Sequence, residues 1–64
     1  MAKRAKSFTL MIRCSNDAFG DSVDEAAFEV VRIIDVVKAK VLDGETSGSA
    51  MDVNGNTVGS FELK

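Results

Sequence analysis

The 64-residue chain is expected to fold as an α+β domain of β-α-β-β order. Its three-stranded antiparallel sheet would run in order 1-3-2 beneath one long amphipathic helix. Three observations lead there. Val23 to Leu42 repeats its apolar residues at helical spacing. Ser7 to Cys14 alternates apolar and polar residues with a period of two. Asn54-Gly55, the strongest short-range hairpin signal in the chain, sits between two short extended stretches. A right-handed crossover from the first strand to the second leaves the third to enter between them.

The helix is marked at both ends. Ser22-Val23-Asp24-Glu25 fits a capping box, with the Ser22 hydroxyl on a free backbone N–H and Glu25 reaching back. Asp24 and Glu25 suit the positive end of the helix dipole, and Lys38 and Lys40 suit the negative end. Gly44 stands where a left-handed closing residue is wanted. Steps of about 100° put Ala26, Ala27, Val30, Ile33, Ile34, Val37 and Val41 on the face toward the sheet. Glu29, Arg32, Asp35, Lys38, Lys40 and Asp43 fall mostly outside it. Phe28, Val31 and Leu42 flank that face, where loops and the N-terminal arm, or another chain, would cover them.

In the first strand Phe8, Leu10, Ile12 and Cys14 share the inward side, and Cys14 is expected as a small buried hydrophobe. Phe19, in the next loop, would plug one end of the core. Glu45 to Ser49 reads as a connection, and Ala50 to Val53 as a short strand with Met51 and Val53 inward. After a two-residue turn at Asn54-Gly55, Asn56 to Lys64 returns with Phe61 and Leu63 on the core side. Gly59 would allow a close approach or mark a bulge. The opposite sheet face, with Thr9, Met11, Arg13, Val58, Ser60 and Glu62, is left open, as are both sheet edges.

Size and composition narrow the function classes. Sixty-four residues make one domain, read as a basic arm over 1–6 and a βαββ body over 7–64. So small a core offsets the entropy of folding narrowly, which makes self-association, a homodimer paired edge to edge, a route to stability. No apolar run reaches the ~20 residues of a membrane span, and Met1 to Ser7 carries charge without the apolar segment of a secretory signal. One unpaired cysteine suits the cytoplasm. With no histidine to activate a thiol, nucleophilic catalysis has no base, and no metal site or cofactor is expected. All ten acids lie after residue 7, so the body is acidic, repels nucleic-acid phosphate and suits a basic protein surface.

Asp17, Asp21, Asp24 and Glu25 form an acidic cluster around the helix start, explained partly by capping and partly by a partner's Arg or Lys. With Phe28 on the helix flank and Met11 and Arg13 on the open sheet face, they are the candidate partner-binding residues. Asp52-Val53-Asn54-Gly55-Asn56 imitates the start of a calcium loop. The full pattern wants glycine at its sixth place and an acid at its twelfth, where this chain has Thr57 and Leu63. A hairpin is the better account.

Several of these blocks resemble a group of short, largely uncharacterised phage- and prophage-encoded proteins. Phe8-Thr9-Leu10, Ile12-Arg13, Asn16-Asp17-Ala18-Phe19 and Val31-Arg32-Ile33-Ile34 carry the resemblance, and Asp52-Val53-Asn54-Gly55-Asn56-Thr57-Val58-Gly59 carries it furthest. The resemblance implies a setting, an accessory protein in the cytoplasm of an infected or lysogenic bacterium, and transfers no catalytic residue. Within that setting the expected function is non-enzymatic binding and inhibition of a host protein machine, most concretely as an anti-CRISPR or other counter-defence protein. The alternatives are a small nucleic-acid-binding module using the arm and the open sheet face, or a homo-oligomeric assembly protein. The acidic body and the lack of sheet-surface aromatics for base stacking speak against nucleic acid.

Overall fold

The computed structural model describes residues 4–64. The elements in chain order are β1 (Phe8–Ile12), a 3-10 turn (Asp17–Phe19), α1 (Val23–Leu42), β2 (Ser47–Met51) and β3 (Thr57–Leu63). The sheet is antiparallel in order β1-β3-β2, with α1 on one face, as the sequence predicts. Residues 1–3 of the basic arm lie outside the described residues. The arm's last residue, Lys6, donates its backbone N–H to the Lys64 carbonyl. No helix among the described residues is long and apolar enough to cross a membrane.

The helix begins and ends where its capping residues dictate. Ser22 Oγ accepts from the Glu25 N–H at 3.1 Å. Glu25 reaches back one residue further than a capping box requires, accepting from the Asp21 N–H at 2.6 Å. At the other end Gly44, at φ +98°, donates to Val41 O (3.1 Å) while Glu45 donates to Lys40 O (3.0 Å), the paired bonds of a Schellman close.

Phe19, Ile33, Val37, Ala50, Val58 and Phe61 form the core, with Leu10, Ile12, Ala26, Val30 and Val41 packed around it. Phe19 plugs one end, as expected. Three strands make a narrow platform, so α1 buries a narrower strip than its apolar arc. Ala27 and Ile34, expected on the covered face, are exposed, and Glu29, expected outside it, is buried.

The second half of the sheet departs furthest from expectation. β2 starts at Ser47, inside the predicted connection, and turns Gly48 and Ala50 inward rather than Met51 and Val53, which are 51% and 64% exposed. The cause is Phe61. It sits across from Gly48, and its ring lies only 2.9 Å from where a Gly48 Cβ would be. That slot admits no large side chain.

The hairpin loop is also longer than two residues. Asp52 N–H donates to Asn56 O (2.9 Å) and Gly55 N–H to Asp52 O (3.0 Å), with Gly55 at φ +84°. This is the three-residue hairpin whose last position is left-handed. Beyond it β3 holds one extra residue, because Ala50 pairs with Gly59 but Met51 pairs with Thr57. The bulge at Val58 turns that side chain into the core, not onto the open face. At the far side, β1 stops at Ile12, and Cys14, expected to be buried, is exposed.

Candidate functional site

Two features stand out at the end of the molecule where α1 begins: a buried polar knot and an exposed acidic surface. The knot centres on Asp52, which is 4% exposed. Its Oδ1 accepts from the backbone N–H groups of Asn54 and Asn56, both at 2.9 Å. Its Oδ2 accepts from Asn16 Nδ2 at 2.7 Å and Asn56 Nδ2 at 3.2 Å. An aspartate opening a turn favours the first two bonds locally. The Asn16 bond is tertiary and ties the hairpin loop to the 3-10 turn. There Asn16 also caps the turn, its Oδ1 accepting from the Ala18 N–H at 3.0 Å.

Beside this knot lies Glu29, buried on the flank of α1 nearest the hairpin. Arg32 grips it with two bonds, Nε to Oε1 at 2.8 Å and Nη2 to Oε2 at 2.9 Å. Glu29 Oε2 also accepts from the Val53 N–H at 2.7 Å, and Arg32 Nη2 donates to Met51 O at 3.1 Å. Helix and hairpin are thus clamped by a bidentate ion pair. No buried side-chain polar atom among the described residues lacks a partner.

Both carboxyls titrate below their ordinary values. At Asp52 burial is the strongest single influence and favours the neutral form, but the Asn56 N–H, the Asn16 and Asn56 amides and the Asn54 N–H together outweigh it. At Glu29 the Arg32 hydrogen bonds dominate, opposed by burial and aided by the Val53 N–H. Each carboxylate therefore holds its proton less tightly in the folded chain than in the unfolded one. The stability they contribute is fully present above the unfolded values of about 3.9 and 4.3 and is lost as pH falls through the lower folded values. Urea midpoints followed by far-UV circular dichroism are expected to hold steady down to about pH 5 and fall below about pH 4. The Asp52→Asn chain, weaker at neutral pH, should show a shallower fall. An equal acid slope in both chains would remove Asp52 from this account.

The sequence-predicted binding residues divide between two surfaces. Asp17, Asp21, Asp24 and Glu25 are all exposed at the helix start, Asp17 opening the 3-10 turn. Gly20, at φ +70°, joins that turn to α1, and a Cβ there would strike the Glu25 carboxylate. The backbone carrying these acids is therefore a capped turn rather than a loose loop. Phe28 projects from α1 with 81% of its surface exposed. Met11 and Arg13 lie on the sheet face away from the helix, Arg13 Nη2 reaching Thr57 O at 3.5 Å. Those two do not join the acidic corner.

Asp52 and Glu29 were not among the predicted site residues. The signal for Asp52 was present in the oxygen-rich run Asp52 to Asn56 that imitates a calcium loop. Its oxygens face inward onto N–H donors. Among the described residues no group of three or more acids, cysteines or histidines is placed to hold a metal ion.

The fold and this corner define a small βαββ domain whose buried ionic groups serve its own architecture and whose acids are displayed outward. No family model, curated protein or solved structure matches the chain.

Proposed function

We propose that the protein works by binding, presenting the acidic corner of Asp17, Asp21, Asp24 and Glu25 to a basic surface on a host protein machine and inhibiting it. The observation that carries this reading is the contrast between the two sets of acids. Asp52 and Glu29 are consumed by internal hydrogen bonds, whereas Asp17, Asp21 and Asp24 are exposed on a capped, glycine-jointed turn with no side-chain bond among the described residues. Glu25, exposed beside them, accepts only the Asp21 N–H. Carboxylates of one sign clustered at one corner steer association with a cationic partner. The resemblance to short phage proteins supplies the setting, and the concrete form is an anti-CRISPR or other counter-defence protein in the bacterial cytoplasm.

The test is phage plaquing on a host with active CRISPR interference, with and without the protein. Plaquing should rise when the protein is expressed. It should return to baseline with the Asp17→Asn, Asp21→Asn, Asp24→Asn combination, which spares the Glu25 cap, provided the variant melts like the parent. No rise in any host carrying a defence system, or a rise the variant retains in full, would overturn the reading.

A further inference from the structure

The two edges of the sheet are finished differently. Leu63 N–H donates to Thr46 O at 2.7 Å. By antiparallel alternation Gly48 and Ala50 then bond inward to β3, while Ser47, Ser49 and Met51 turn their backbone groups outward. Helix cations occupy that edge: Lys40 Nζ donates to Ser49 O at 3.3 Å and Arg32 Nη2 to Met51 O at 3.1 Å.

The β1 edge has no such cover. Ser7 and Lys64 exchange backbone bonds of 3.2 and 2.9 Å, and Arg13 N–H donates to Val58 O at 2.7 Å. Odd-numbered residues therefore bond to β3, and Phe8, Leu10 and Ile12 face outward. The only side-chain bond to those outward groups among the described residues is a 3.9 Å thiol contact from Cys14 to Ile12 O. The side chains on the helix side of this strand are also incompletely buried. Phe8 is 46% exposed, Leu10 and Ile12 are half-buried, and Phe8 lines an open apolar groove with Val37, Val41, Leu42 and Leu63.

We propose that the β1 edge pairs antiparallel with the β1 edge of a second copy of this chain, about a two-fold axis at Leu10. The strand is self-complementary in that register. Leu10 meets Leu10 of the second copy and Phe8 meets Ile12, so outward-facing residues oppose one another and the apolar side chains share the helix-covered face. Charge fits as well. Within one copy, Arg4 and Lys6 precede β1 while the acidic corner comes after it, about 17 Å of strand away. Arg4 and Lys6 make no ion pair among the described residues. Strand pairing stops beyond the strand ends, where Lys6 already gives its N–H to Lys64 O and Asn16 caps a turn. The direction of the register nevertheless carries Arg4 and Lys6 past Cys14 toward Asp17 of the second copy. The basic segment of each copy thus runs toward the acidic corner of the other. Lys6 and the second copy's Arg13 are near in register, but the pleat directs them to opposite faces. The result is a continuous six-stranded sheet with both bare edges removed. It concerns self-association and stands or falls independently of any host target.

The chain is short enough for chemical synthesis, so the edge can be blocked one atom at a time. Sedimentation equilibrium from about 1 μM to about 500 μM should give twice the 6.8 kDa chain mass at the upper end, with weaker association at high salt. N-methylation of the Leu10 amide should hold the chain at 6.8 kDa, and the same change at Ser49 should leave the dimer intact. Should the methylated chains not fold, amide exchange on the unmodified protein reads the same edge. Leu10 exchange should slow at least about tenfold across the concentration range while Ser49 stays constant. A monomer throughout, a dimer indifferent to Leu10 methylation, or concentration-dependent protection at Ser49 rather than Leu10 would overturn the proposal.

Discussion

Gly59→Ala is expected to cost the domain about 3 kcal/mol or more, although it adds a single methyl group. The position calls for glycine on steric grounds, since its φ is not among the positive values of Gly20, Gly44 and Gly55. A Cβ at residue 59 would overlap the Met11 carbonyl oxygen and lie 3.0 Å from the Ile12 Cα. These are backbone atoms of the paired strand, so no rotamer change relieves the overlap. Either β1 separates from β3 at its Ile12 end or the bulge at Val58 rearranges, and Val58 then leaves the core. A chain of this length has a total stability of roughly 3–10 kcal/mol, so a loss of about 3 kcal/mol removes about a third of it or more and should lower the urea midpoint clearly. Far-UV circular dichroism with urea titration measures this. A midpoint within error of the parent would mean that β1 and β3 do not approach at Gly59.

Phe61→Ala is expected to cost about 3–5 kcal/mol, whereas Phe28→Ala should stay within about 0.5 kcal/mol. The two rings are the same size and differ only in place. Phe61 is 2% exposed, lies over Gly48, pairs with Leu10 across β1 and meets the Phe8 ring at 6.3 Å between centroids. Its removal empties the centre of a core built from few residues. Phe28 stands in solvent on α1. Parallel urea titrations give the difference directly. Similar losses for both would show that Phe28 is covered in solution, as by a second copy.

The polar clamp was only partly legible in the sequence. Asp52, Asn54 and Asn56 were visible as a turn with oxygen at alternate positions, and their mutual bonds are local. Nothing in the spacing of Asn16 and Asp52 announces their 2.7 Å bond, which spans 36 positions. Glu29 looked like a solvated helix residue because charge argues for water. It is buried because Arg32, one turn on, and the Val53 N–H satisfy both its oxygens. The acidic corner was read directly, since Asp21, Asp24 and Glu25 lie within a few residues of a helix start.

By itself, the sequence determined the elements whose cause is local. The bounds of α1 come from Ser22, Glu25 and Gly44, the end plug from the placement of Phe19, and the order β1-β3-β2 from one helix and one hairpin that must share a core. Only the tertiary structure decided which side of β2 faces inward, because the Phe61 ring lies against Gly48, where a side chain would collide with it. It also decided the fate of Val58, which a single extra residue in β3 turns from the open face into the core. Strand side chains alternate with a period of two, so Val58 and Phe61, three residues apart, would face opposite sides without the extra residue. With it both enter the core, and only the packed partner strand sets where that residue goes.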